Sequence, residues 1–426
     1  MLSKKKDEDG IEIRPKTRSD IVLPVCMALL SLMGLIFIYT SQMYNIDEVS
    51  IARQFWFRQS VFLAMGSAVY FFISRMDYEK CFVYAHLIYA ACVATLIPLF
   101  LEGSCGIDLP FVSSRFNATR WINMGIFSLQ PSEIAKIGTC VMVAAILARS
   151  KIGTIKESLK VLLKIFIVAA IPILLIFLQP DLGSTLVFPP MIFAMLYVSK
   201  LSKRFFISAF AAFAVVVAAV GLDISGYTSF LEKNKISATE SSKGNLFGST
   251  HFCLPMKDYQ RNRILAFVAP EVVDKRGQDV TWNVRQSLIS IGSGGFFGKG
   301  LGEGTQAKLG YLPSDVAYND FIFAVLAEES GFFGATLAIA LLAAILLFCC
   351  LRSAAKSRDR FGQLLCVGIC AMLTTHVFIN IGMTVGIMPV TGLPLPMLSY
   401  GGSFVLTCFI LLGLVQSVYR HRRQFD

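Results

Sequence analysis

The sequence predicts an all-α membrane protein of ten transmembrane helices, with one long extracytoplasmic loop between the seventh and eighth. Three observations carry that prediction. Only 16% of the 426 residues are charged and 55% are hydrophobic, with a mean hydropathy of +0.64, whereas soluble domains keep about a quarter of their residues charged. Apolar stretches of roughly 20 residues, the length that crosses a ~30 Å hydrocarbon layer, recur along the chain. The stretches are continuously apolar, not alternating, which excludes a β-barrel.

Taken in order, residues 1–20 are dense in charge without apolar periodicity and form a cytoplasmic tail expected to be disordered. Spans follow at about 21–40, 59–74, 82–101, 133–148, 162–178, 183–199 and 205–222, so that 21–222 holds the first seven helices. Residues 223–320 form the long loop, 321–419 hold spans at 321–351, 363–386 and 402–419, and 420–426 are a second tail. The first span lacks a small-residue cleavage site and reads as a signal anchor.

The net charge of +11 would suit nucleic acid, but its distribution argues otherwise. Of the 39 Lys and Arg residues, 23 fall in the tails and in short segments on one side of the predicted spans. The positive-inside rule then places both termini in the cytoplasm of a multi-pass inner-membrane protein. Lys4, Lys5 and Lys6 can also attract anionic lipid headgroups.

Within the long loop, Ser225 to Cys253 is rich in Ser, Lys, Asn and Gly and reads as a mobile insertion. Asp258–Phe267 and Val284–Ile291 place apolar residues at helical spacing with Arg or Gln opposite, as in helices lying at a membrane interface. Most of the eleven cysteines sit in apolar spans and act as inert packing. Cys105 and Cys253 fall in outward loops, where they either form a disulfide or stay as free thiols. There is no Walker loop and no zinc-ligand spacing.

Charges inside or bordering the membrane are costly unless paired or solvated. Glu133 and Lys136, three apart after Pro131, share a helix face. They are either a self-satisfied ion pair or the wall of an outward cavity whose Lys holds an anionic group. Arg120 and Trp121 add a cation and an interfacial aromatic. Asp181 suits the N-cap of a helix. The Gly292–Gly300 run could offer amides to phosphate, a weak signal taken alone. Asp320 stands where the long loop meets an apolar helix. It can serve as a general base on a hydroxyl or as a helix cap, and a helix N-terminus would lower its pKa.

These segments together resemble the SEDS family (shape, elongation, division and sporulation) over about residues 20–420. The motifs are Arg120-Trp-Ile, Gln130-Pro-Ser-Glu-Ile-Ala-Lys136, Gln179-Pro-Asp-Leu-Gly183, Ile291-Gly-Ser-Gly-Gly295, Gly304-Thr-Gln306, Asp320-Phe-Ile-Phe323 and Ser399-Tyr-Gly-Gly-Ser403. Asp258-Tyr-Gln-Arg261, Phe378-Ile-Asn-Ile-Gly-Met383 and Gly392-Leu-Pro-Leu-Pro396 look closer to the family's elongation members than to its division members. The resemblance implies ten helices and a peptidoglycan glycosyltransferase that polymerises lipid II into a growing glycan strand. It maps the family's essential aspartate onto Asp320, and places Arg120, Trp121, Glu133, Lys136 and Gln286 in segments lining the cavity. It implies a class B penicillin-binding transpeptidase as partner, since the chain has no Ser-x-x-Lys followed by Lys-Thr-Gly of its own. Cations, or a divalent metal such as Mg or Mn, would offset charge on the leaving diphosphate; no metal ligands are assigned. One departure stands out. The family commonly has Leu-Pro-Glu shortly before its Asp, whereas here Leu312-Pro313 is followed by Ser314 and Asp315, so Asp315 shares or competes for the role of Asp320. A flippase for a polyprenyl-linked precursor and a non-catalytic morphogenesis scaffold are the rival functions.

Overall fold

The computed structural model describes residues 19–43, 54–105, 107, 109–115, 118–125, 128–150, 155–179, 181–199, 201–234, 236–250, 254, 256–274, 281–312 and 314–422. All ten expected apolar stretches are helical. The long ones are α1 (Val22–Thr40), α2 (Phe55–Arg75), α3 (Pro131–Arg149), α4 (Ile155–Leu178), α5 (Lys203–Asn234), α8 (Ile322–Ala343), α9 (Arg360–Thr384) and α10 (Gly402–Arg420). The loop between α5 and α8 supplies α6 (Asp258–Val268) and α7 (Trp282–Ser293). Among the described residues, eight helices are long and apolar enough to cross a membrane. Two expected spans fall outside that group: Leu182–Val198 is shorter, and α2 is long but less apolar. The third expected span is broken into Glu79–Val83, Ala85–Ala94 and Ile97–Cys105.

The core lies between α3, α9 and α10. Ala135, Cys140, Ala144, Leu364, Cys366, Ile369, Val405, Cys408 and Val415 are all fully buried there. Around them α2 runs along α10, α1 leans on α8, and Ala85–Ala94 covers α3. The outer faces stay apolar, as with Phe166 and Phe378, because in lipid there is no gain in hiding them and helices meet through close packing instead.

Two expectations need correction. The segment 102–132 is not plain loop: Val112–Arg115, Ala118–Asn123 and Ser128–Leu129 form a small antiparallel sheet, β1 to β3 in sequence order. Ser113 pairs with Trp121 and Ile122 with Leu129. Among the described residues the fold is therefore helical with one short sheet. Alternating patterning over so few residues is too short to register as strand.

The second correction concerns Ser225–Cys253. α5 runs twelve residues beyond its predicted end at 222, and Ala238–Gly244 and Leu246–Thr250 are helices as well. Tyr227, Leu231, Ala238, Phe247 and Leu265 close a small apolar core of their own. At its edge Arg261 is fully buried between Asp223 (Nε–Oδ2 2.8 Å) and Asp258 (Nη1–Oδ1 3.1 Å), with its guanidinium carbon 4.9 Å from the Phe247 ring centre. Asp258 in turn accepts from Ser241 Oγ and from the amides of Phe247 and Gly248. A buried charge is tolerated only when it is this thoroughly partnered. By contrast, no residue of α5 from 204 to 222 is buried, so this helix is held mainly at its loop end.

The Cys105–Cys253 question lies outside the described residues, which include neither Cys253 nor the side chain of Cys105. The expected tails likewise fall mostly outside them.

Removing Arg261 would strand two buried carboxylates, which costs on the order of 3–5 kcal/mol. Arg261→Ala is expected to lower the melting temperature in detergent and to open 236–274 to limited proteolysis. Wild-type cleavage kinetics would contradict the assignment of Arg261 as the centre of this unit.

Candidate active site at the loop end of the bundle

The peptide before α8 is irregular and sits against a second irregular segment, 385–401. Irregular backbone at such depth must find its hydrogen bonds within the protein, and here it does. Asn380, fully buried on α9, donates Nδ2 to Asp320 O (2.9 Å) and to Leu393 O (2.7 Å). Ser399 Oγ donates to Asn319 O (2.6 Å) and accepts from Leu395 N (2.8 Å). Tyr400 N donates to Tyr318 O (3.0 Å), and Gln59 on α2 bridges Ser399 O and Gly401 N, each at 3.3 Å. Phe55 stacks on Tyr318 with ring centres 4.5 Å apart, and Tyr400 packs edge-on against both rings. The stretch 318–320 is thus held from α9, from 385–401 and by the Phe55 ring of α2, with Asp320 itself fixed through its carbonyl.

Its carboxylate does not cap α8. The cap position belongs to Phe321, and no side chain caps that helix end. The chain turns at Phe321 (φ −112°, ψ 22°), leaving the Asp320 side chain beside Gly392. A Cβ there would lie 3.5 Å from Asp320 Oδ2, and Gly392 also has φ +75°, so a bare Cα meets the carboxylate. Burial pushes the Asp320 carboxyl up to about 6, while the charges of Arg263 and Arg120 pull it down. The expectation that the helix terminus would lower this pKa is corrected: desolvation outweighs the partial charge of amides that the carboxylate does not contact.

Arg120, on β2, is thus near enough for its charge to act on Asp320, although 200 positions separate them in sequence. Trp121 follows it on the same strand and points to the opposite face, since successive strand residues alternate; its ring is partly buried. Glu133 and Lys136 pair at 2.8 Å, with side chains 2% and 0% exposed. Lys136 Nζ also meets His376 Nε2 at 2.9 Å, and the His376 ring packs on Phe404. This knot joins α3 to α9 inside the bundle, where neither charge faces open space. Gln286 is buried (7% exposed) on α7, near where Ser287 Oγ donates to Thr384 O at the end of α9. The side chain of Asp315 lies outside the described residues. Asp181 is the N-cap, accepting from Ser184 N at 3.2 Å, and it also receives Gln130 Nε2 and Ser132 Oγ.

The glycine-rich run does not offer its amides outward at its far end. Lys299 N and Gly300 N donate to Glu328 O and Glu329 O, and Phe332 N and Phe333 N donate to Gly295 O and Phe296 O. A Cβ at Gly298 (φ +83°) would overlap the Glu329 carbonyl, and Gly331 (φ +67°) breaks α8 opposite it. The glycines permit two backbones to touch. Glu328 is matched by Lys299 Nζ at 2.6 Å and by Thr305 Oγ1 and N. Sequence reasoning passed over Arg263, whose only local signal is its place on the polar side of α6.

Asn380→Ala would leave two buried carbonyls without donors, a cost of about 2–4 kcal/mol at 1–3 per group. The expected result is a lowered melting temperature that Asn380→Asp, with no amide donor left, reproduces. Wild-type stability in both variants would remove Asn380 as the anchor of the Asp320 peptide.

The family model for FtsW, RodA and SpoVE, described as "Cell cycle protein", matches residues 20–424. The chain is 34% identical over 365 residues to the peptidoglycan glycosyltransferase MrdB of Escherichia coli (strain K12), covering 85% of each. It is 30% identical to the peptidoglycan glycosyltransferase RodA of Treponema pallidum, with 96% of this chain and 99% of that one covered. A chain from a structure on coordination of polymerization and crosslinking by a peptidoglycan synthase complex superposes with a TM-score of 0.69 at 25% identity, covering 96% and 99%. The rod shape determining protein RodA of Thermus thermophilus shares the fold, with a TM-score of 0.61, 23% identity and coverage of 96% and 98%. With eight helices among the described residues long and apolar enough to cross a membrane, a pinned aspartate at the head of α8 and a family match over nearly the whole length, the chain belongs to the SEDS family that includes FtsW, RodA and SpoVE.

Proposed function

We propose that the chain is a peptidoglycan glycosyltransferase that joins lipid II units into glycan strands during cell elongation, with Asp320 as general base. The observation that carries this reading is a partly buried, uncapped carboxylate held by its backbone and flanked by two arginine charges. A base with pKa near 6 is ionised at neutral pH yet far more basic than an ordinary aspartate, as proton abstraction from a hydroxyl demands. In the reaction, Asp320 takes the proton of an acceptor sugar hydroxyl as that oxygen bonds to the donor's anomeric carbon. The bond from that carbon to the lipid diphosphate breaks, and the diphosphate leaves with the electron pair. Arg263 and Arg120 supply positive charge close to where negative charge grows.

Among the described residues no three His, Cys, Asp or Glu side chains are placed to hold a metal ion. A divalent cation such as Mg or Mn, bound with the substrate's diphosphate, would add to the positive charge that offsets the leaving group. The proposed setting is the bacterial inner membrane, crossed ten times with both termini in the cytoplasm. A class B penicillin-binding transpeptidase is the proposed partner. The relative solved in a complex for polymerization and crosslinking supports that pairing.

The chain purified with its transpeptidase and given labelled lipid II should form polymer. Asp320→Asn should reduce it to background, and Asp315→Asn should not. The wild-type rate should fall as pH drops below about 6, because protonation removes the base. Polymer from Asp320→Asn would move the base elsewhere, and precursor crossing liposomes without polymer would favour transport. Stability should show the opposite sign. The folded-state pKa lies above the unfolded value near 4, so ionisation of Asp320 costs stability as pH rises from about 4 to 6. Asp320→Asn should therefore melt higher than wild type at pH 7.5, by on the order of 2–3 kcal/mol, and no higher at pH 4.

A further inference from the structure

Between α6, α7 and the turn after α9 lies a cavity of about 270 Å³. Arg263 and Arg285 stand on its wall, and the remainder is mostly apolar, with Phe267, Val284, Leu288 and Met388 prominent. Its wall is braced: Ser287 Oγ ties α7 to Thr384 O, and Trp282 Nε1 donates to Tyr311 O at 2.7 Å. Phe267, Leu288 and the adjoining Ile387 are 41%, 45% and 65% exposed, so the cavity's surroundings are greasy at the same end of the bundle as Asp320.

The geometry points to this cavity as the subsite for the lipid diphosphate of the glycosyl donor, with Arg263 and Arg285 as the cations that receive it when it leaves. The assignment rests on the glycosyltransferase reading and refines it. Guanidinium groups stay charged and fork onto phosphate oxygens, while the apolar wall suits the first isoprene units of the lipid. At ~270 Å³ the space is below the 300–1,000 Å³ of pockets that enclose a drug-sized ligand. It fits a diphosphate and the start of a lipid arm, not a whole sugar–peptide precursor.

The donor, not the acceptor, is singled out by chemistry. The donor's diphosphate is attached to the carbon under attack and therefore lies one displacement away from the base. The acceptor's own diphosphate is separated from its attacking hydroxyl by the length of its sugars. Arg263 belongs to both places: it lines the cavity, and its charge acts on Asp320. As the carbon–oxygen bond breaks, the electron pair stays on the departing diphosphate oxygen, where Arg263 offsets its charge, while the proton of the attacking hydroxyl moves to Asp320.

The test uses the full chain in detergent with farnesyl diphosphate, farnesol and inorganic diphosphate as probes, binding being read by calorimetry. Farnesyl diphosphate should bind at least tenfold tighter than either fragment. Arg263→Ala and Arg285→Ala should each weaken it about 10- to 100-fold, the loss of one charge-assisted contact. Val284→Trp should fill the cavity and remove binding, whereas Asp320→Asn should keep it. Unchanged binding in the arginine variants and in Val284→Trp overturns the assignment. Should those variants lose the wild-type melting transition, a diazirine-bearing farnesyl diphosphate decides on the wild-type chain. Labels on Phe267, Leu288 or Met388 support the subsite, and labels only elsewhere overturn it. A wild-type chain that binds the probe here but makes no polymer sinks the enzyme reading and retains a lipid-diphosphate site. Polymerisation at the wild-type rate by the Arg263→Ala, Arg285→Ala double variant sinks the subsite and retains the enzyme.

Discussion

Backbone amides and carbonyls that leave a helix inside packed protein have no water to fall back on, and much of the loop end of this molecule answers that constraint. Two segments, 318–320 and 393–401, satisfy each other through Asn380, Ser399 and Gln59. Each of those side chains serves two backbone groups. The same network that makes irregular chain tolerable also fixes where Asp320 begins, so a solution to a solvation problem becomes the mount of a reactive group.

Elsewhere at this end, charges are either used up or kept. Glu133, Lys136 and His376 are consumed in an internal knot, as are Arg261 with its two aspartates and Glu328 with Lys299. Such groups cost several kcal/mol if one member is lost but add little net stability as intact pairs. Asp320 is different: burial raises its carboxyl, and the charges of Arg263 and Arg120 offset that rise only in part.

The membrane helices were legible because each is fixed by the transfer of some 20 apolar residues, a local property of the chain. The acid at 320 could be singled out from its position at an apolar boundary, and the Asp181 cap from its place before a helix. What stayed hidden depends on juxtaposition. Nothing near Arg263 in sequence announces Asp320, and nothing in Glu133-x-x-Lys136 announces His376, 240 positions on. The run after 222 read as mobile because its composition is polar; its order comes from one buried guanidinium and a few aromatic contacts that periodicity does not register. The glycines at 292–300 read as amides open to phosphate, whereas at their far end they admit the backbone around the break at Gly331, a partner the sequence does not name.

The long α5 touches the rest of the molecule chiefly where Asp223 grips Arg261. Arg263 sits only two residues further along α6, so the stem and the cation share one rigid joint. Whatever disturbs the Asp223–Arg261 pair therefore disturbs the placement of Arg263 as well, so one buried contact in the loop also sets the position of a cation whose charge acts on Asp320.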